Sequence, residues 1–404
     1  MCQYCNDPKH IPAIDMPDRR KFMIGGATLA AAAVASPFAT ASAAEPAVPA
    51  AFNLDELDKV TAYGVKDSRV QFEKMTIKRR KPLDDDVVID IHYASICHSD
   101  IHTVNGDWGP VKYPLTPGHE MIGRVVAVGR KVTKFKVGDF AGVGCMVNSC
   151  MTCENCLNDR EQNCLNGTTF TYASPDAISG GQTQGGYSDK IVVPQHFAVR
   201  IPPGVDLAAT TPLLCAGITT FSPIQHWDVQ SGQTIGVVGM GGLGHMAVKL
   251  GVSKRADVIV FTTTPGKIAD AKKMGAKDAV LWNDPSGMKK YAGRLDWIIS
   301  TVPQAYNMGP FVNLLKLDKT LVNVGAMEPV QGVTGFALVF GRKNIAGSLI
   351  GGIAETQEVI DYCAARNIKA DIEMITPDQI NTAYDRVVGK DVRYRFVIDM
   401  KKTA

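Results

Sequence analysis

A short run near the middle of the chain constrains the fold more than any other feature. Thr234-Ile235-Gly236-Val237-Val238 reads as a buried strand. Gly239-Met240-Gly241-Gly242-Leu243-Gly244 follows, then an apolar helical stretch to about Leu250. A strand that turns on glycines into a helix aims backbone N–H groups and a positive helix end at a pyrophosphate. The glycine spacing alone is a weak signal, but a second strand, Asp257 to Phe261, arrives where a β-α-β unit needs it. Leu295–Ser300 and Thr320–Gly325 read as later strands, with a helix between them from Met308 to about Lys316. The expectation is an α/β protein with a doubly wound, Rossmann-type nucleotide domain over residues 216–352.

The end of the second strand bears on which dinucleotide is held. An NAD site usually places Asp or Glu there, to bind the ribose 2′-hydroxyl. This chain has Thr262-Thr263-Thr264, with Lys267 close behind. Hydroxyl donors and a cation suit a 2′-phosphate, which a carboxylate would repel. The plainer reading of the same residues is strand propensity with a helix cap and a solvated lysine. The pattern favours NADP(H), with Gly239, Gly241, Gly242, Leu243 and Gly244 at its pyrophosphate.

Four of the ten cysteines fall in one cluster, Cys150-x2-Cys153-x2-Cys156-x7-Cys164. A C-x2-C step lets a tight turn aim two thiolates at one point, and four sulfurs at ~2.3 Å complete a tetrahedral zinc shell. Disulfides and an iron–sulfur cluster compete, but two-residue spacings suit a metal better than a disulfide loop. A closed four-sulfur shell leaves no vacant position, so such a zinc holds a lobe together and does no chemistry. Cys145, just upstream, reads as a spare, buried small residue. An open metal site needs three protein ligands and a vacancy. Cys97, His119 and Cys215 are candidates, although their spacing alone does not distinguish ligands from packing residues.

The residues around those candidates carry a family resemblance. Gly118-His119-Glu120-x2-Gly123-x5-Gly129-x2-Val132 matches the signature of the zinc alcohol dehydrogenases. Cys97-His98-Ser99-Asp100-Ile101-His102, Leu213–Thr219 and Asp391-Val392-Arg393-Tyr394-Arg395-Phe396-Val397 resemble the cinnamyl-alcohol dehydrogenase branch of the medium-chain superfamily. The resemblance runs from about Thr61 to the last residues. It implies a β-rich, GroES-like catalytic domain in two pieces, residues 45–215 and 353–404, around the nucleotide domain. It implies a catalytic zinc on Cys97, His119 and Cys215, with Asp100 orienting His119 through its other ring nitrogen. Glu120 is expected either to reach the metal or to form a structural salt bridge. A proton relay would run from the substrate oxygen through Ser99 and the nicotinamide ribose to His102. His98 is expected near the cofactor. Trp108, Leu349 and Ile350 are expected along a pocket for aromatic or medium aliphatic alcohols and aldehydes. Phe336 to Phe340 is apolar where relatives pair, which implies a homodimer.

The N-terminus reads as a targeting segment. Asp18-Arg19-Arg20-Lys21-Phe22-Met23 is a twin-arginine pattern, followed by an uncharged Ala/Gly-rich stretch to Ser36 that is short for a membrane span. Ala41-Ser42-Ala43 and Ser42-Ala43-Ala44 both fit a small-residue cleavage site, giving a signal of residues 1–44 and a periplasmic product. A plain Ala-rich tail on a cytoplasmic protein is the alternative. Cys2 and Cys5 would leave with the signal. A formal charge of +3 over 404 residues gives no basic face for nucleic acid. Two rivals to an NADP-linked aldehyde reductase stand at this level: a polyol- or formaldehyde-type zinc dehydrogenase, and an exported zinc scaffold with a vestigial site. The second has weight because free NADPH is not expected outside the cytoplasm.

Overall fold

A ten-residue strand, buried along most of its length, forms the spine of the first sheet. In strand β1 (Asp86–Ser95), Val87, Ile89 and Ile91 are fully buried. The strand leads through Ile96 and Cys97 into helix α1 (His98–Asn105). Strands β2 (Met121–Val128), β3 (Phe140–Val143), β4 (Lys190–Pro194) and β5 (Ala198–Arg200) follow. The chain then crosses through helix α2 (Ala216–His226) into β6 (Thr234–Val238), α3 (Gly242–Ser253), β7 (Asp257–Thr262) and α4 (Gly266–Lys273). Strands β8 (Asp278–Leu281), β9 (Leu295–Ser300), β10 (Leu315–Asn323) and β11 (Asn344–Gly347) complete that half. Helix α5 (Ile353–Ala365) and strands β12 (Ile372–Ile375) and β13 (Arg395–Asp399) bring the chain back. This computed structural model describes residues 52–325 and 327–402, so the expected signal, residues 1–44, lies outside the described residues.

The first sheet has the order β5-β3-β2-β1-β13-β12, with β4 also paired to β1. It is antiparallel apart from the β12–β13 pair. The second is wholly parallel, in the order β8-β7-β6-β9-β10-β11. Its strand order reverses between β6 and β9, which opens a crevice at their carboxyl ends for a dinucleotide. One apolar core runs through both halves: Val87 and Ile89 of the first sheet, Ile218 of α2, Val237 of β6 and Ile353 of α5 belong to it. The β-rich domain is therefore made of two sequence segments joined through β13, which pairs with β1.

The helix expected over residues 308–316 is a single turn, Gly309–Val312. Strand β10 starts at Leu315, earlier than its apolar run suggested. The N–H groups of Arg294 and Leu295 both donate to Leu314 O, drawing that segment into the sheet, and Leu295 pairs with Leu315 before a register shift. Among the described residues no single helix is long and apolar enough to cross a membrane.

Candidate active site

The fold brings Cys97, His119 and Cys215 together from three places. Cys97 ends the exit of β1 and caps α1; His119 follows a Pro117-Gly118 turn into β2; Cys215 sits between Leu214 and α2. With Glu120 they present one donor atom each, all within 4.8 Å of one another, and all four residues are buried. Two thiolates and an imidazole are the donors that zinc prefers, and three of them leave a position open.

Asp100 organises this cluster from behind. Its Oδ1 accepts from His119 Nδ1 at 2.9 Å and from Gly118 N at 3.2 Å. Its Oδ2 accepts from Cys97 N at 2.9 Å and from the Tyr187 hydroxyl at 3.0 Å. One fully buried carboxylate thus orients two of the three ligands and leaves His119 Nε2 free for a metal. Glu120 does two things at once. Its carboxylate is held by the Ser95 hydroxyl and by the Arg395 guanidinium, yet an oxygen remains within reach of the ligand set. Burial pushes the Glu120 carboxyl up and Arg395 opposes the shift. Burial also works against the charge on Arg395, but Glu120, Cys97 and Cys215 hold it well above its ordinary value. Arg395 belongs to the C-terminal motif but had no role in the sequence reading; nothing local links it to Glu120, 275 residues away.

The four-cysteine lobe closes on itself. Cys150 and Cys156 sulfurs are 3.9 Å apart, and those of Cys153 and Cys156 are 3.5 Å apart. The edge of a tetrahedron with sulfur at ~2.3 Å from zinc is about 3.8 Å, so the spacing fits a metal. All four cysteines are free of disulfide bonds. Backbone N–H groups of Thr152 and Cys153 lower the Cys150 thiol to about 5, which prepares it as a thiolate. Cys164 joins the same donor group. Cys145 stays outside it: half-buried, it points at Leu214 O at 3.8 Å, on the side of Cys215.

The relay candidates lie along α1. Ser99 Oγ is 3.7 Å from Cys97 Sγ. His102 Nδ1 is 2.8 Å from Asp107 Oδ2, its Nε2 is buried with no partner among the described residues, and its ring stacks on Trp108 at 5.0 Å. Burial lowers His98 to about 4, which keeps it neutral beside the ligands. Trp108 borders a cleft of about 540 Å³ with Thr103, Pro110 and Ala173. The other two pocket candidates diverge. Ile350 packs behind the catalytic segment with Cys145, Leu214 and Ile218, whereas Leu349 is 38% exposed.

The glycine turn is shaped for close approach. A Cβ on Gly244 would lie 2.2 Å from Gly239 O, so the helix can sit this close to the strand only without one. A Cβ on Gly241 would meet nothing, which leaves its backbone open to a ligand. Gly242 faces Arg395, whose Cδ would be 2.6 Å from an added Cβ, and Arg395 Nε is buried without a partner. Leu243 packs partly buried against the core. Thr262 is buried, and its hydroxyl accepts from Thr264 N at 3.2 Å. Thr263 and Thr264 are the accessible members of the run. Lys267 is 6% exposed, with its amino group 5.6 Å from the centre of the Tyr394 ring. Desolvation, Arg393 and Lys390 lower it to about 8.

Comparison with known proteins extends this geometry. Residues 83–203 match the alcohol dehydrogenase GroES-like domain and residues 242–388 the zinc-binding dehydrogenase domain. The chain is 47% identical over 344 residues to NADP-dependent alcohol dehydrogenase C of Mycobacterium tuberculosis, covering 85% of this chain and 99% of that one. It is 48% identical over 343 residues to aldehyde reductase YahK of Escherichia coli, covering 84% and 98%. Among solved structures, a cinnamyl alcohol dehydrogenase of Sorghum bicolor superimposes with a TM-score of 0.83 at 38% identity, over 86% of this chain and 99% of that one. A counterpart from Helicobacter pylori, solved with NADP(H), gives 0.81 at 39% identity, over 86% and 99%.

Proposed function

The chain belongs to the zinc-dependent medium-chain alcohol dehydrogenases of the cinnamyl-alcohol dehydrogenase-like type, and from that premise we propose that it reduces aromatic and medium aliphatic aldehydes with NADPH, and oxidises the matching primary alcohols, at the Cys97–His119–Cys215 centre. The observation that carries this reading is Arg395. One buried side chain touches both Glu120 beside the ligands and Gly242 at the glycine turn, so the metal site and the nucleotide crevice are one site.

Bound at these donors, zinc supplies Lewis acidity toward a substrate oxygen, while NADPH supplies the hydride. The chain's own residues do the rest. Asp100 fixes the His119 ring and the Cys97 backbone, so the open position keeps its direction. Ser99, beside the Cys97 sulfur, exchanges a proton with the substrate oxygen. His102 would pass that proton on toward solvent: with Nδ1–H donated to Asp107, its Nε2, unpartnered among the described residues, is a free acceptor. Asp107 is 45% exposed at its side chain, which opens the path to water. Trp108 holds the His102 ring by stacking and presents its other edge to the cleft. The first test is metal content together with NADPH oxidation by benzaldehyde and cinnamaldehyde. Two zincs with turnover support the reading. One zinc with no turnover across an aldehyde and polyol panel would favour the scaffold.

Two further readings are part of the proposal. A homodimer is supported by the exposed β11 edge and by the apolar patch of Phe336, Val339 and Phe340, which are 69%, 73% and 75% exposed; light scattering tests it. Export is supported by the Arg19-Arg20 pattern and the small residues Ala41–Ala44 that follow it. A Met1 N-terminus on the active protein would reject export. A route that carries folded proteins fits an enzyme that must fold around zinc.

A further inference from the structure

We propose that Arg393, reaching across from the β-rich domain, is a specificity-determining ligand of the NADP(H) 2′-phosphate, held in reserve by Asp270. This rests on the reading of Thr263, Thr264 and Lys267 as the 2′-phosphate site. Arg393 lies just before β13, in a different domain from those residues. Its Nη2 would be 3.7 Å from a Cβ on Gly266, the first residue of α4, so the guanidinium lies over the N-terminal end of that helix. Its Nε donates to Asp270 Oδ2 at 3.1 Å, and the same carboxylate oxygen accepts from the Tyr394 hydroxyl at 2.9 Å.

The charge at this corner is unbalanced in the direction a dianion would correct. Arg393 and Lys390 both act on the charge of Lys267, and Asp270, which pairs with Arg393, is the carboxylate set against them there. Neighbouring acids pair with other side chains: Glu373 and Asp391 with Arg386, Asp371 with Lys249, while Glu373 Oε1 also accepts from the Arg393 backbone N–H at 2.8 Å. Lys267 is 6% exposed, yet its ammonium has no ion-pair partner within 4.0 Å among the described residues; it rests on the Tyr394 ring. With its stem buried and no counter-ion at hydrogen-bonding distance, this ammonium is a cation left for an incoming anion to pair. A phosphomonoester carries a charge of roughly −1.5 to −2 and strong acceptor oxygens, which match three cations less one carboxylate. Arg393 is the member with a planar fork suited to two phosphate oxygens. Occupying the site asks it to exchange Asp270 for phosphate.

The probe is 2′,5′-ADP against 5′-AMP, bound to the zinc-loaded full chain and followed by calorimetry. Wild type is expected to prefer 2′,5′-ADP. Arg393→Gln should weaken 2′,5′-ADP by about 10- to 100-fold, the range for losing a charged hydrogen-bonded contact, and leave 5′-AMP unchanged, which also shows that the variant is folded. Asp270→Asn should move the other way and tighten 2′,5′-ADP. A wild type that does not distinguish the two probes would overturn the 2′-phosphate reading and Arg393 with it. If wild type discriminates and Lys267→Gln abolishes the preference while Arg393→Gln keeps it, the role of Arg393 alone is refuted.

Discussion

Replacing Asp100 by Asn exchanges one carboxylate oxygen for an NH2 group in a side chain that is fully buried and bonded four times. The amide keeps one acceptor. Its cheaper orientation leaves the oxygen toward His119 Nδ1 and Gly118 N, and turns the NH2 group toward Cys97 N and the Tyr187 hydroxyl. Tyr187 can reverse and accept. Cys97 N–H cannot, so one buried donor is stranded at a cost of about 1–3 kcal/mol. The His119 ring also loses its anionic partner, and loss of such a partner lowers metal affinity by roughly 10–100-fold. Asp100→Ala is less informative, because four stranded donors at about 1–3 kcal/mol each would consume most of a domain's stability of ~5–15 kcal/mol. The assay is timed zinc release to a chelator, with turnover followed in parallel. In Asp100→Asn one zinc should leave early and activity with it. The four-cysteine zinc, which has no contact with Asp100, should leave at the wild-type rate and serves as the internal control. Two zincs lost at wild-type rates, with full turnover, would refute the claim that Asp100 organises the ligands.

Three other expectations follow from the same geometry. His102→Gln keeps its zinc but lowers turnover by roughly 10²-fold, the scale of a lost proton-transfer group, and alters the pH–rate profile; unchanged kinetics would rule out the relay. Cys164→Ala opens the sulfur shell, so zinc content falls by one per chain and the thermal midpoint drops, by ~2–4 °C for each kcal/mol lost in a domain of ~150–250 residues, as read by calorimetry. Lys267 is lowered to about 8, by desolvation and then by Arg393 and Lys390, with Asp270 opposing and the Tyr394 ring in contact. The cation is present below that pH and lost above it, so the preference for NADPH over NADH binding should decline as pH rises through about 8. A ratio of dissociation constants that stays flat to pH 9 would contradict this.

The sequence spoke most clearly where function is built from contiguous residues. The strand, glycine turn and helix around Gly239–Gly244 are local, and the start of β6 and its end fall where the apolar run placed them. The four-cysteine shell is also local, since its sulfurs come from one turn and one short loop. Where long-range pairing decides, pattern failed. Residues 313–316 have helix-compatible composition, but two N–H donors from Arg294 and Leu295 claim Leu314 O and turn the segment into strand. Leu349 and Ile350 are adjacent in sequence, yet one side chain is partly exposed and the other packs behind Leu214. Apolar character alone could not say which faces a substrate.

Arg395 shows why the least legible residue can matter most. Cys97 and Cys215 as thiolates, with the carboxylate of Glu120, place three negative charges in a volume where all four donor groups lie within 4.8 Å. A divalent cation offsets two of them. The third needs a fixed cation that cannot lose its proton at neutral pH, and among the described residues the one hydrogen-bonded to Glu120 is Arg395, itself 4% exposed. The charge of Asp100 is spread over its own four donors and makes no such demand. The same guanidinium then presses on Gly242, at the positive end of α3 where the dinucleotide phosphates would lie. Removing either cation unbalances the other's partners. Metal binding and nucleotide binding therefore share one electrostatic requirement, which is met by a residue whose neighbours in sequence give no sign of it.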